Sequence, residues 1–313
     1  MKLKKPKFWD YKKPNFLSYL LLPLTIPVII NNFLLKFRRI DQYNKCIKKI
    51  CIGNIYVGGT AKTPLTIKIY KILNNLNFKT ATIKKFYSNH ADEQKLLTNN
   101  TSLYCQKNRR KALNIAIEDG NDVAIFDDGL QDRSISYDLK FVCFNNVKWI
   151  GNGLLIPAGP LREKIDSIKK YDAIFINGNK KDNSNLKRII KKYNNDISIF
   201  EGYYTPTNIN QFSTNEKYII FSGIGNPESF KETLTENKLN IVEEIIFPDH
   251  HRYSQKDIDE IRLKAKNLNA KIITTEKDFI KINSDENNDF KFLKIELNVK
   301  NENDLINYLK LHI

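Results

Sequence analysis

A strand, a glycine-rich turn and a helix follow one another along Ile50-Cys51-Ile52-Gly53-Asn54-Ile55-Tyr56-Val57-Gly58-Gly59-Thr60-Ala61-Lys62-Thr63-Pro64. Main-chain N–H groups of such a turn, with the positive end of a helix dipole behind them, cradle phosphates. Gly58, Gly59, Thr60 and Ala61 form the turn, Lys62 reaches the β- and γ-phosphates of a nucleotide, and the Thr63 hydroxyl is a ligand for Mg²⁺. The spacing departs from the standard phosphate-loop pattern twice, because Tyr56 stands at its first glycine and Ala61 at its second. A methyl group at position 61 crowds the phosphates if the backbone there needs φ > 0.

A second candidate is Val123-Ala124-Ile125-Phe126-Asp127-Asp128-Gly129-Leu130-Gln131-Asp132, an apolar strand ending in adjacent carboxylates. Alone, Asp-Asp-Gly is a common turn; beside a phosphate loop, Asp127 and Asp128 are placed to hold Mg²⁺ directly or through water. A third, Phe247-Pro248-Asp249-His250-His251-Arg252-Tyr253, brings together two of the four histidines. A general base and a helix-capping imidazole fit that loop equally. Weaker signals are His90-Ala91-Asp92-Glu93, where a carboxylate also suits a helix start, and Pro157-Ala158-Gly159-Pro160-Leu161-Arg162-Glu163-Lys164. Ser222-Gly223-Ile224-Gly225-Asn226-Pro227 lacks the third glycine of a dinucleotide loop and reads as a strand-to-helix turn.

The elements that must position these residues alternate. Candidate strands are Ile50–Asn54, Thr80–Lys84, Val123–Asp127, Leu139–Phe144, Ala173–Asn177, Ile197–Tyr203, Tyr218–Ser222, Ile241–Phe247 and Lys271–Thr275. Helices include Thr63–Leu76, Arg109–Asp119, Ser229–Glu236 and Ser254–Leu268, the last with a capping box from Ser254 and Asp257. Such alternation predicts an α/β fold, crossover units around a mainly parallel sheet with helices on both faces. A polar turn near Gln211–Glu216 marks a lobe boundary. The expected division is residues 1–44 as an N-terminal membrane-associated helical segment, 45–215 as the core carrying the phosphate loop and 216–313 as a smaller α/β lobe.

With 313 residues, the chain can bury a sizeable core. Its net charge of +16 permits an anionic partner, although abundant Lys, Asn and Ile also fit a coding bias. No dense Arg tract, zinc-knuckle spacing or RNA-binding strand signature points to nucleic acid. Cys46, Cys51, Cys105 and Cys143 form no C-x-x-C pair, so neither a zinc site nor a disulfide framework is expected; Cys51 and Cys143 read as buried packing residues. Asn15 to Phe37 is apolar between basic flanks but broken by Pro23, Pro27, Asn31 and Asn32, whereas a full span needs ~20 apolar residues. An anchor at an anionic cytoplasmic membrane face is expected, with a helical hairpin packed on the domain as the alternative.

In order, GNIYVGGTAKTP, ADE, DDGLQ, GNGLLIPAGPLRE, SGIGNPESF, FPDHHRY and TTEKD resemble the motifs of the tetraacyldisaccharide 4′-kinases, the lipid A 4′-kinases. The resemblance covers nearly the whole chain. It implies a P-loop fold with a second lobe, residence on the cytosolic face of the inner membrane, and MgATP-dependent phosphorylation of the 4′-hydroxyl of a tetraacylated glucosamine disaccharide 1-phosphate. Carried over by motif, Asp92 matches the catalytic carboxylate and His250 its imidazole partner. Lys62 and Thr63 handle phosphates and metal, Asp127, Asp128 and Glu163 organise Mg²⁺, Arg162 neutralises phosphate charge, and Arg110 lies on the substrate side. Asp132 stands where the family has a His after Asp-Gly-Leu-Gln, and the connection from Lys84 to Asp92 is shortened. These departures leave open a catalytically impaired glycolipid- or nucleotide-binding homologue, or a P-loop kinase for another phosphorylated sugar.

Overall fold

The computed structural model describes residues 5–37, 47–88, 91–178, 182–249, 251–282 and 289–313. His90 and His250, Cys46 and the basic pair Arg38–Arg39 lie outside the described residues. The chain folds as two compact units. The larger comprises Lys5–Phe86, Leu97–Tyr203 and Asn298–Ile313, and the smaller includes Tyr87–Leu96 and Tyr204–Leu297.

Among the described residues, twelve strands form two sheets: β1 (Lys48–Gly53), β2 (Thr80–Lys85), β3 (Leu103–Gln106), β4 (Val123–Asp127), β5 (Leu139–Asn145), β6 (Ala173–Asn177), β7 (Ser198–Pro206), β8 (Lys217–Ser222), β9 (Asn240–Ile246), β10 (Lys271–Thr275), β11 (Phe290–Leu293) and β12 (Ile295–Val299). The first sheet has the order β12-β7-β6-β5-β1-β4-β2-β3, the second β11-β10-β8-β9. Strand β1 pairs in parallel with β4 on one side and β5 on the other. The central strands are buried along nearly their whole length, as a parallel sheet covered on both faces requires. Cys51, Phe126 and Val142 enter one core layer with Ala112 and Leu113. By strand alternation the buried Ile50 and Ile52 face the opposite layer. Cys51 and Cys143 are fully buried, as expected, and burial pushes their thiols far above the usual range.

The described residues also form ten α-helices: α1 (Phe16–Leu20), α2 (Ile26–Leu34), α3 (Lys62–Asn75), α4 (Ala91–Asn100), α5 (Arg109–Glu118), α6 (Ser184–Tyr193), α7 (Pro227–Glu236), α8 (Gln255–Leu268), α9 (Glu276–Phe279) and α10 (Glu302–His312). In the smaller unit, Tyr218 and Ile220 pack with Phe230 and Leu234 of α7, while Ile219 and Phe221 pack with Ile258 and Ile261 of α8. The capping box at Ser254 is present, with Asp257 reciprocating. Strand β3 and the helices α6, α9 and α10 were not among the expected elements, and two strands, β11 and β12, follow β10.

The amino-terminal segment is inverted relative to a soluble amphipathic hairpin. Between Asn15 and Phe37 the buried residues are Ser18 and Thr25, whereas Phe16, Leu20, Leu24, Ile30, Phe33, Leu34 and Phe37 are exposed. Pro23 and Pro27 break it into short turns, and among the described residues no helix is long and apolar enough to cross a membrane. The alternative of an apolar face packed on the domain is therefore not what forms. Polar contacts fasten the segment instead. Asn152 donates to the Ser18 hydroxyl at 3.0 Å and to the Ala158 carbonyl at 3.0 Å, Trp9 Nε1 donates to the Pro157 carbonyl at 2.9 Å, and Asn32 donates to the Arg162 carbonyl at 2.9 Å. Because Asn152 is buried, Asn152→Ala leaves carbonyl and hydroxyl groups unsatisfied. It is expected to cost about 1–3 kcal/mol in urea unfolding and to speed proteolysis within residues 5–37; unchanged stability and cleavage would refute this role.

Candidate active site

The phosphate-loop candidate leaves the carboxyl end of β1, the edge at which ligands bind in open parallel sheets. Gly58 has φ +142° and Ala61 φ +67°, ψ 25°, so both backbone positions lie where glycine is favoured. The methyl group of Ala61 is accommodated, but in a left-handed conformation that costs an L-residue roughly 1–2 kcal/mol. Inside the loop the buried Asn54 donates to the Thr60 hydroxyl at 2.9 Å and to the Gly58 carbonyl at 3.3 Å, fixing its curvature. Outside it, Val57 N–H donates to the Pro160 carbonyl and Arg162 N–H to the Ile55 carbonyl at 2.9 and 2.7 Å. This pairing delivers Arg162 and Glu163 to the loop's base.

Helix α3 starts at Lys62, and Thr63 lies in its first turn. The Thr63 hydroxyl donates to Asp127 Oδ2 at 3.1 Å, and Lys84 Nζ, from β2, donates to the same oxygen at 2.5 Å. Both Lys84 and Asp127 side chains are almost wholly inaccessible. Asp127 Oδ1 is buried without a hydrogen-bond partner. Asp128 is in the left-handed region at φ 57°, and its Oδ1 receives Arg162 Nη1 at 3.1 Å with Lys62 Nζ 3.9 Å away. The two acids therefore differ: Asp127 faces a buried lysine and a hydroxyl, Asp128 the two cations at the loop.

The turn after β4 is clamped from α5. Arg109 Nη2 donates to the Asp128 carbonyl at 2.6 Å and Nη1 to Asp132 Oδ2 at 3.2 Å. Burial would raise the Asp132 carboxyl, but hydrogen bonds from Ser134 and the Arg109 charge outweigh it and hold it below the ordinary range. A Cβ at Gly129 would stand 2.9 Å from Cys51 Sγ and 2.9 Å from the Tyr137 hydroxyl, so only glycine lets the turn approach β1. Glu163 is buried and accepts from Gln131 at 3.2 Å and Tyr171 at 3.1 Å, with Arg133 3.9 Å from its second oxygen. Arg110 donates to the Ser134 carbonyl at 3.2 and 3.0 Å.

In the smaller unit, Asp92 opens α4 and is buried. Lys281 Nζ lies 3.5 Å from Asp92 Oδ2. His251 stacks on Phe247 with ring centroids 4.7 Å apart, and its Nε2 is 3.1 Å from Asp257 Oδ2, the cap of α8.

A family model described as tetraacyldisaccharide-1-P 4′-kinase matches residues 17–313. The chain belongs to the tetraacyldisaccharide 4′-kinase family. A tetraacyldisaccharide 4′-kinase of Pelagibacter ubique (strain HTCC1062) is 51% identical over 310 residues, covering 99% of this chain and 98% of that one. One from Rickettsia akari (strain Hartford) is 35% identical over 328 residues, covering 98% and 96%. Among solved structures, an "apo" form of LpxK from Aquifex aeolicus in complex with ATP matches with a TM-score of 0.69 at 21% identity, over 95% of this chain and 100% of that one. That likeness shows the fold, the mainly parallel α/β architecture with helices.

In this 4′-kinase, Gly58–Thr63, Asp127, Asp128, Arg162 and Glu163 fall in the larger unit and are joined by the contacts above. Asp92 falls in the smaller unit. Three contacts escaped sequence reading: Lys84 on Asp127, Arg109 on Asp128, and Asn54 inside the loop. The lone lysine in the Thr80–Lys84 run was the available signal for the first. Ala61→Gly should relieve backbone strain; after the lost unfolded-state restriction of about 0.4–1 kcal/mol, a net gain of about 0.5–1 kcal/mol in denaturant unfolding is expected. A loss of stability would show the left-handed assignment to be wrong.

Proposed function

We propose that this chain transfers the γ-phosphoryl group of ATP to the 4′-hydroxyl of a tetraacyldisaccharide 1-phosphate, a lipid A precursor. The observation that carries the reading is the junction of a left-handed loop, a helix start bearing Lys62 and Thr63, and the buried Asp127 on the neighbouring strand. Loop amides and Lys62 bind the triphosphate, and Arg162 supplies a second cation once phosphate replaces Asp128 as its partner. Thr63 and Asp127 suit magnesium. Both offer hard oxygen donors, one Asp127 oxygen is buried without a partner, and Mg²⁺ is commonly held by one or two carboxylates plus substrate phosphates and water. When bound, that ion would withdraw charge from the β- and γ-phosphate oxygens. Asp128 and Glu163 orient the surrounding cations and waters.

Asp92 takes the proton from the attacking hydroxyl, and His250, outside the described residues, is its partner by the family resemblance. Arg110 contributes to the acceptor side. Most of the acceleration comes from positioning and electrostatic stabilisation. Incubated with MgATP and the disaccharide monophosphate, the purified protein should form a 4′-phosphorylated product. Lys62→Ala and Asp92→Asn should each lower kcat by about 10²–10⁴ while the protein remains folded at the assay temperature. Near-normal turnover in either removes that residue from its role, and nucleotide binding without transfer by the parent selects a non-catalytic homologue.

We also infer that the inverted amino-terminal hairpin lies in an anionic membrane surface, at the cytoplasmic face. Outward-facing Phe16, Ile30 and Phe33 provide the apolar contact, and Lys7, Lys12 and Lys13 are exposed beside them. Burying each large side chain is worth about 1.5–3 kcal/mol. Ile30→Glu with Phe33→Glu should therefore weaken sedimentation with phosphatidylglycerol vesicles by more than about tenfold; equal binding by parent and variant would contradict the inference.

A further inference from the structure

The Thr274-Thr275-Glu276-Lys277-Asp278 motif has no part in the phosphate loop, yet almost every residue in it has a defined contact. Thr274 donates to the Phe221 carbonyl at 2.8 Å. Thr275 caps α9 and donates to Asp278 Oδ2 at 2.7 Å, and Gly223 N–H donates to the same oxygen at 3.0 Å. Lys277 lies 3.4 Å from Glu93. Asp278 is thus a buried anion with its position fixed by β8 and β10. Three residues on, Lys281 donates to Asp278 Oδ1 at 2.9 Å and lies 3.5 Å from Asp92 Oδ2. The side chains of Asp92 and Asp278 are 3% and 0% exposed, and that of Lys281 11%.

Two desolvated carboxylates around one ammonium form an unequal pair. Without the cation, repulsion and burial would drive a proton onto one of them. Asp278 is also held by a backbone N–H and a hydroxyl, so its place does not depend on Lys281 alone. A protonated Asp92 cannot accept another from a sugar hydroxyl. The Tyr253 ring centroid lies 6.0 Å from Lys281 Nζ. Burial, together with the charges of Asp278 and Asp92, holds the Tyr253 phenol well above its ordinary range, so it stays neutral. Among the described residues, the titratable groups around Asp92 are therefore Lys281, Asp278 and Tyr253, with Glu93 and Lys277 beside them.

We propose that Lys281 is a positioning residue for phosphoryl transfer: by bridging Asp92 to Asp278, it keeps Asp92 ionised and oriented to receive the hydroxyl proton. The inference rests on the reading of Asp92 as the base. In the step it supports, the hydroxyl oxygen bonds to the γ-phosphorus while its proton passes to Asp92. The bond from the γ-phosphorus to the bridging oxygen breaks, and its electron pair leaves with ADP. Lys281 exchanges no proton.

The test compares full-length Lys281→Met, Lys281→Arg, Asp92→Asn and Asp92→Asn/Lys281→Met across pH. Lys281→Met should lower kcat by about 10- to 100-fold, leave KM for ATP within about threefold, and move the acidic limb of the kcat profile upward by about 1–3 pH units. Lys281→Arg should restore most of the rate and return the limb. The double variant should be no slower than Asp92→Asn, because both changes disable one group. If Lys281→Met fails to fold, Lys281→Met/Asp278→Asn removes one charge of each sign, and its acidic limb should remain above the parent's. A limb unmoved in a folded variant, or losses that multiply in the double variant, overturns the Lys281 role while Asp92 stands. A parent-like rate in Asp92→Asn defeats both.

Discussion

A carboxylate cannot be buried at the end of a central strand without compensation, and much of the larger unit follows from how Asp127 is compensated. Its two fixed partners come from different elements: Lys84 from β2 and Thr63 from the first turn of α3. For all three to converge, β4 must lie between β1 and β2, and the loop after β1 must turn back over β4. That is the observed strand order. Removing one member of such a pair typically costs 3–5 kcal/mol, so the arrangement resists alternatives in which the loop is displaced. The other oxygen of Asp127 is buried without a hydrogen-bond partner, one of several such polar atoms among the described residues. Two of the left-handed non-glycine residues, Ala61 and Asp128, belong to the turns that follow β1 and β4.

Much of this was legible in the sequence because it is local. Continuous apolar runs marked β4 and β6 to the residue, since a strand buried on both faces leaves no polar alternation. The Ser254 cap was readable because its partner is three residues away. The glycines, Lys62 and Thr63 announced the loop through spacing alone. What stayed hidden depends on tertiary contact. Lys84 looks like any lysine near a strand end until β4 is set beside it, and Arg109 looks like a solvated helix residue beside Arg110. Strands β3, β11 and β12 are short and only partly buried, so their patterns are too brief to stand out. Asp132, a departure from the family pattern, has become the acidic partner of Arg109.

The amino-terminal segment inverts the usual logic of burial. Its polar side chains Ser18 and Asn32 hydrogen-bond to the domain and Thr25 to the Leu22 carbonyl within the segment, while Phe16, Leu20, Leu24, Phe33 and Leu34 are exposed. Asp10 accepts from the Tyr56 hydroxyl at 2.5 Å and pairs with Lys5 and Lys148. Tyr56 is the residue that replaces the first glycine of the standard loop, so the substitution that weakened the motif also ties the apolar segment to it.

The units are interleaved along the chain, and this bears on how the protein is made. The larger sheet ends in β12, and α10 packs its Tyr308 ring against Phe141 and Phe200, while Glu302 pairs with Lys68 of α3 at 2.8 Å. Asp92 likewise waits for Lys281. A nascent chain that has emerged only as far as residue 250 therefore holds the complete phosphate loop but neither finished unit. Folding must await contacts distant in sequence, which slows it and leaves sheet edges open meanwhile.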